Sequence, residues 1–305
     1  NSTAEHGGAA FFESSVSAIT HTSFTGNTAS GDGGAMHVGS SNVTLGGSVR
    51  FEGNIASSGG ALYLVDGSIA TVTANNASFA LNTATLDGGS LWAQESTVHV
   101  SGQADSLVVD GDIVFANNSG SALTYDQSVI EISGNAVWEG NRAPEYDGGG
   151  GLRMWNSTLR VHSSGKSVFR GNTASFGGAA RFYNCTLVID GEVLFVDNVA
   201  KDSGGAVDMD HSTLDVAGRV VFEKNIAVVD GGGITSSESN TTIQHTGTAE
   251  FYGNGAESAG AIYIDNDTLS VHGKVLFAHN FADYRGGAVN SDHSVFTVTA
   301  TGTAE

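Results

Sequence analysis

Residues 51–62 read FEGNIASSGGAL, which in isolation looks like a glycine-rich loop. The same frame returns as FTGNTASGDGGAM at 24–36, FRGNTASFGGAA at 169–180, FVDNVAKDSGGAV at 195–207 and FEKNIAVVDGGGI at 222–234. An aromatic residue, an asparagine three positions on and a glycine pair are held, while nearly everything between them changes. Aligned on the aromatic and the asparagine, the chain holds ten copies: Phe24/Asn27, Phe51/Asn54, Phe79/Asn82, Phe115/Asn118, Trp138/Asn141, Phe169/Asn172, Phe195/Asn198, Phe222/Asn225, Phe251/Asn254 and Phe277/Asn280. The small-residue motif ends eleven times, at Ala9, Ala35, Ala61, Ser90, Ala122, Gly151, Ala179, Ala206, Gly233, Ala261 and Ala288. After it comes a small polar residue and an apolar alternation, as in STVHV (96–100), STLRV (157–161), CTLVI (185–189), STLDV (212–216), DTLSV (267–271) and SVFTV (294–298).

Each unit, mostly 26–29 residues long, therefore carries three short period-2 segments separated by Gly, Asn, Ser and Asp turns, with no sustained helical period. Three short strands per unit, repeated, predict an all-β right-handed parallel β-helix of about eleven coils of ~28 residues, roughly 50 Å long at one strand spacing per coil. The fixed letters then have reasons. Aromatic side chains fill the interior between coils, and each asparagine takes a corner where its amide reaches the next one. The glycine pair meets a corner that needs positive φ and close backbone approach. The single Pro144 falls between Asn141 and Gly148, in the longest of these spacers, as expected where Pro is confined to a bulge. Asn1 precedes Gly7 by six residues as Asn27 precedes Gly33, which places residue 1 in the asparagine column. The chain closes on GTAE (302–305), which at 247–250 is followed directly by Phe251. Residues 1–305 thus read as a single array, a segment of a longer one, whose ends stack on adjoining repeats or on copies of itself.

Forty-three of 305 residues are Gly, and the formal charge is −20 from 32 acidic and 12 basic side chains. That balance argues against a nucleic-acid partner, because phosphate binding needs a basic surface. No apolar run is long enough for a spanning helix, so no membrane insertion by this segment is expected. One cysteine, Cys185, excludes an internal disulfide and reads as a packed small residue.

Repeated F-x-x-N with G-G-A-[ILV], in register along the whole chain, resembles the passenger repeats of the chlamydial polymorphic membrane proteins and related β-helix repeats of other surface proteins. The resemblance implies a surface-exposed, non-enzymatic, adhesive passenger, with both motifs implicated in adhesion. The matching positions are the aromatic/Asn pairs and Gly-Gly-Ala triplets above, which read first as structural, since a core Phe is poorly placed to touch a receptor.

The sequon N-x-[ST] occurs at Asn1, Asn42, Asn76, Asn117, Asn156, Asn184, Asn240 and Asn266. Ten of the eleven corner asparagines avoid it, whereas seven of the ten others carry it. Five of them (Asn42, Asn156, Asn184, Asn240 and Asn266) follow the small-residue motif at one solvent-facing turn, so N-linked glycans along one edge are expected. The competing explanation is that Asn suits the turn and Ser/Thr the strand after it. Asp32, Asp87, Asp147 and Asp230 precede glycine pairs, and such a column could take Ca²⁺. Their coils are not consecutive, so turn-forming carboxylates without cofactor or metal are the expectation. The ten histidines show no ligand spacing; His211 and His293 share one turn position and read as surface residues. Glycan-cleaving β-helices cluster carboxylates beside a long loop, and 101–155 is the irregular stretch, with Asp105, Asp110, Asp112, Glu145, Asp147, Trp138 and Trp155.

Three functions follow in order. The first is a non-enzymatic, glycosylated extracellular structural rod of a fibre, appendage or cell-surface layer. The second is a surface adhesin passenger, presenting variable faces to a cell-surface receptor or glycan. The third is a carbohydrate-active enzyme with its site in 101–155. An outward aromatic patch favours adhesion and clustered carboxylates in a groove favour the enzyme.

Overall fold

The computed structural model describes residues 1–94, 97–99, 107–109, 112–127, 129–299 and 303–304. They form strands and turns with no helix, and successive strands stack in parallel into a β-solenoid of about ten turns. One face is an eleven-stranded sheet running from Ala10–Glu13 to Val289–Asp292. A second, thirteen-stranded sheet carries the aromatic of each unit, and an eight-stranded sheet carries the segment after the small polar turn. Two-residue strands such as Thr173–Ala174 and Val199–Ala200 follow the asparagine corner. Two coils run the second and third faces together in one strand, Asn42–Glu52 and Ile69–Ala80; in later coils a turn divides them, as into Thr158–Val161 and Lys166–Arg170.

Period-2 alternation decides which side chains turn inward. Along Thr186–Ile189, Leu187 and Ile189 are buried while Thr186 is exposed. Parallel pairing without offset brings Phe169 opposite Phe195 and Phe195 opposite Phe222, so like residues stack. Nine consecutive ring pairs from Phe24 to Phe277 lie with centroids 4.3–5.9 Å apart. Trp138 keeps its place in this column, buried and stacked at 4.3 Å on Phe169.

At the neighbouring corner each asparagine amide bonds in both directions along the rod. Asn198 Nδ2 donates forward to Asn225 Oδ1 (2.9 Å) and back to the Phe169 carbonyl (3.0 Å). Its own Oδ1 accepts from the backbone N–H and the Nδ2 of Asn172. The pattern runs from Asn27 through Asn54, Asn82, Asn118, Asn141, Asn172, Asn198, Asn225 and Asn254 to Asn280. Asn1 departs from the sequence reading. Ser2, not Asn1, donates its N–H to Asn27 Oδ1 at 3.0 Å, and Thr3 pairs with Thr28, so Asn1 lies one residue short of the column. Counting back from the glycine pair misses this because one residue fewer separates the corner from Gly7.

The glycine pair is set by close approach. Gly177 has φ +54°, and a Cβ on Gly178 would lie 2.3 Å from the Gly205 carbonyl oxygen. Coils cross here backbone to backbone at most repeats, as at Gly34, Gly60, Gly178 and Gly205, and a side chain there has no room.

Candidate outward-facing site

The outward positions of the eleven-stranded sheet form two columns. In the first, register places Phe11, His37, Tyr63, Trp92, Thr124 and Arg153 one above another. Phe11 and His37 meet edge to face at 4.8 Å, His37 and Tyr63 at 5.1 Å, and Tyr63 and Trp92 stack at 4.6 Å with planes 4° apart. In the second column Asp126, Trp155 and Tyr183 follow one another. These rings hold no core together; they stand on the solvent side of strands whose inward residues, such as Leu62, Leu64 and Met154, do the packing.

Between Trp92 and Trp155 lies a groove of about 370 Å³, with Thr124 in its floor and Asp126, Asn156 and Tyr183 along one side. Asn156 Nδ2 donates to Asp126 Oδ1 at 3.1 Å. On the other side Arg153 reaches back across the Thr124 coil to Asp87 (2.8 Å) and also pairs with Asp147. Its guanidinium lies 4.1 Å from the Trp155 ring centroid, which fixes both groups. Burial draws the Arg153 pKa below its usual value against the pull of Asp147 and Asp87. Burial likewise raises Asp87, with Arg153 opposing and Asp147 adding to the rise. The neighbouring Arg181 holds Asp208 at 3.0 Å, and burial pushes the Asp208 carboxyl up to about 6 against that cation.

The carboxylates preceding glycine pairs thus do something their sequence spacing hides. Asp87 and Asp147, two coils apart, meet on one guanidinium, so a cation between them is already supplied by the chain. Asp32 lies instead beside His6 (3.7 Å), and the Asp230 carbonyl accepts from Thr235. Of the irregular stretch, Trp155 and Asp147 join the site, Trp138 is interior and Glu145 is exposed. Asp105 and Asp110 lie outside the described residues, as does the side chain of Asp112. Tyr63, Trp92, Thr124, Tyr183 and Arg153 were not singled out by sequence reasoning. The available signal was position: each ring or cation of the first column stands two residues after the small residue that closes the glycine motif.

Asn1, Asn42, Asn117, Asn156, Asn184, Asn240 and Asn266 are exposed, while the side chain of Asn76 lies outside the described residues. They do not share one column. Asn156, Asn184 and Asn266 occupy the left-handed turn (φ 48–56°) with His211 and His293, whereas Asn42 and Asn240 begin the next strand. Asn184 donates to Asn156 Oδ1 at 2.8 Å. His211 sits between Asp210 (2.6 Å) and Glu238 (2.9 Å), which raise its pKa, the Asp210 hydrogen bond most. Ligand atoms of Asp265, Asp292 and His293 come within 4.8 Å of one another, a carboxylate-rich surface group with the donor types of a weak cation site.

Two segments, residues 21–35 and 48–64, match the family model of the Chlamydia polymorphic membrane protein repeat, so the motif resemblance holds where that model applies. No curated protein matches the chain. Among solved structures it is similar to the "TibC-catalyzed hyper-glycosylated TibA55-350 fragment", at 10% identity over 97% of this chain and 100% of that one. The TM-score is 0.27, too loose a likeness to bear on fold or function.

Proposed function

We propose that this chain is a non-enzymatic β-helix passenger of the adhesin type, displayed at a cell surface, with recognition carried by its outward columns. The observation that carries the reading is the groove between Trp92 and Trp155, an aromatic and carboxylate surface that stands outside the packed core. The matched repeats support it, since the resemblance implies surface display and adhesion. The ion pairs favour recognition over hydrolysis. Asp87 and Asp147 are tied to Arg153 rather than standing free as an acid and a base.

Adherence of chain-coated fluorescent beads to cultured animal cells tests the proposal. Wild-type beads are expected to adhere, and beads bearing the Trp92→Ala/Trp155→Ala double variant to adhere at the level of uncoated beads. Wild-type adherence no greater than that of uncoated beads refutes it. A second reading, an extracellular structural rod clothed in N-linked glycans, draws on the exposed Asn42, Asn156, Asn184, Asn240 and Asn266. Intact-mass measurement of native material decides that point: a mass equal to that of the bare chain removes it.

A further inference from the structure

The first outward column is a stack of rings with one rung left out. Tyr63 covers one face of Trp92, and the next rung along the rod is Thr124, whose short side chain cannot cover the other. Trp155 stands two coils beyond Trp92 in the neighbouring column, an axial separation of about 10 Å at the strand spacing of a sheet. Rings in the core of this chain stack one per coil, at 4.3–5.9 Å. The vacated rung is therefore about one ring thick. The groove of about 370 Å³ lies at the small-ligand end of the usual ~300–1,000 Å³ range.

We propose that this groove binds an uncharged sugar ring of an oligosaccharide; the inference rests on the adhesive reading above and names its ligand. A pyranose offers an apolar C–H face and an edge of hydroxyls that both donate and accept. The groove offers the matching pair: ring faces at Trp92 and Trp155, and polar atoms on Asp126, Asn156 and Thr124 between them. Thr124 is the sharpest sign of a built site. It is only 2% exposed and its Oγ1 has no hydrogen-bond partner, although it lies in the floor of the groove. A native fold seldom leaves a buried hydroxyl unpaired without a reason, and a ligand hydroxyl settling there supplies one. Arg153, held by Asp87 and Asp147, fixes the Trp155 wall before any ligand arrives, so little side-chain ordering is left for binding to supply.

Charge narrows the class further. Asp87 and Asp147 share a single guanidinium beside the groove, and Asp126 adds a further carboxylate to its lining, on a chain of net charge −20. A sialylated or sulfated sugar would bring its anion against this net negative charge, so discrimination against anionic glycans is built in. A cationic peptide would meet no such repulsion, and it is the competitor the experiment must separate.

The test titrates immobilised lactose, maltotriose and chitotriose with the purified chain, alongside sialyllactose and a Lys-rich peptide. At least one neutral oligosaccharide is expected to bind, and sialyllactose to bind at least about tenfold more weakly. Trp92→Ala and Trp155→Ala should each weaken binding about tenfold or more, with circular-dichroism spectra unchanged and melting lowered only slightly, since each ring faces outward and loses one surface contact. Thr124→Val keeps the shape of the floor and removes the hydroxyl, and it should weaken binding as well. Absence of neutral-sugar binding at millimolar concentration, preferential binding of sialyllactose or the peptide, or wild-type binding by both Trp variants overturns the assignment. The two readings fail separately. Beads that adhere to cells through the tryptophans but ignore every neutral sugar leave adhesion standing and dispose of the sugar site.

Discussion

Replacing Asn198 by Ala tests what holds consecutive coils in register. The side chain is buried and makes four hydrogen bonds, two received from Asn172 at 3.0 Å and two given, to Phe169 and Asn225. Truncation leaves the Asn172 backbone N–H and one Nδ2 proton without acceptors. Asn225 Oδ1 still receives the backbone N–H of residue 198 at 3.0 Å, so that acceptor is only partly deprived. At ~1–3 kcal/mol for each orphaned buried donor, less whatever water entering the gap restores, the expected loss is about 3–4 kcal/mol. Urea unfolding followed by circular dichroism measures it, with Val199→Ala, at a half-exposed neighbour, as the control that should shift stability by under about 1 kcal/mol. Solenoid coils interact chiefly with their neighbours, so hydrogen exchange should quicken around residues 172–225 more than at either end. A loss below about 1 kcal/mol, or exchange quickened uniformly, would refute the claim that the amide column is a principal tie between coils.

Phe195→Ala removes one ring from between Phe169 and Phe222, each 4.9 Å away, and should cost about 3–5 kcal/mol by cavity formation in the same unfolding assay. Gly178→Ala would set a Cβ 2.3 Å from the Gly205 carbonyl oxygen and 2.6 Å from the Val199 carbonyl, both backbone of the next coil. Its soluble yield is expected to collapse, whereas Gly171→Ala, where a Cβ meets nothing within 4 Å, should lose only the smaller penalty of its positive φ. Asp208, raised to about 6 from an ordinary 3.8, binds its proton more tightly in the fold than in the unfolded chain. Its stabilising contribution is thus complete below about pH 4 and is lost as pH rises through 6, a swing of about 3 kcal/mol. Asp208→Asn should remove that slope from the pH dependence of unfolding; an unchanged slope contradicts the assignment.

The repeat was legible in the sequence because a solenoid asks the same thing of each coil at the same place. A column of like residues is stable only if each ring finds another ring, and each amide another amide, one strand spacing away, so Phe195, Asn198 and the Gly204/Gly205 pair recur as fixed letters. One-residue slippage was not legible: Asn1 has the right spacing to Gly7, yet Ser2 takes the corner, because register there is set by pairing with Thr28 and not by counting. The outward site was hidden for the opposite reason to the core. Nothing in the packing of the coils dictates Tyr63, Trp92, Thr124 or Arg153, so they look like free variation along the chain. Their meaning arises only when winding places residues about thirty apart on one strip of surface. Arg153 bridging Asp87, 66 residues away, to Asp147, six away, is a juxtaposition that only the stacking of coils creates. The periodic demand of the core fixed the rod from sequence alone, and the three-dimensional register of its outer columns decided what that rod presents to solvent.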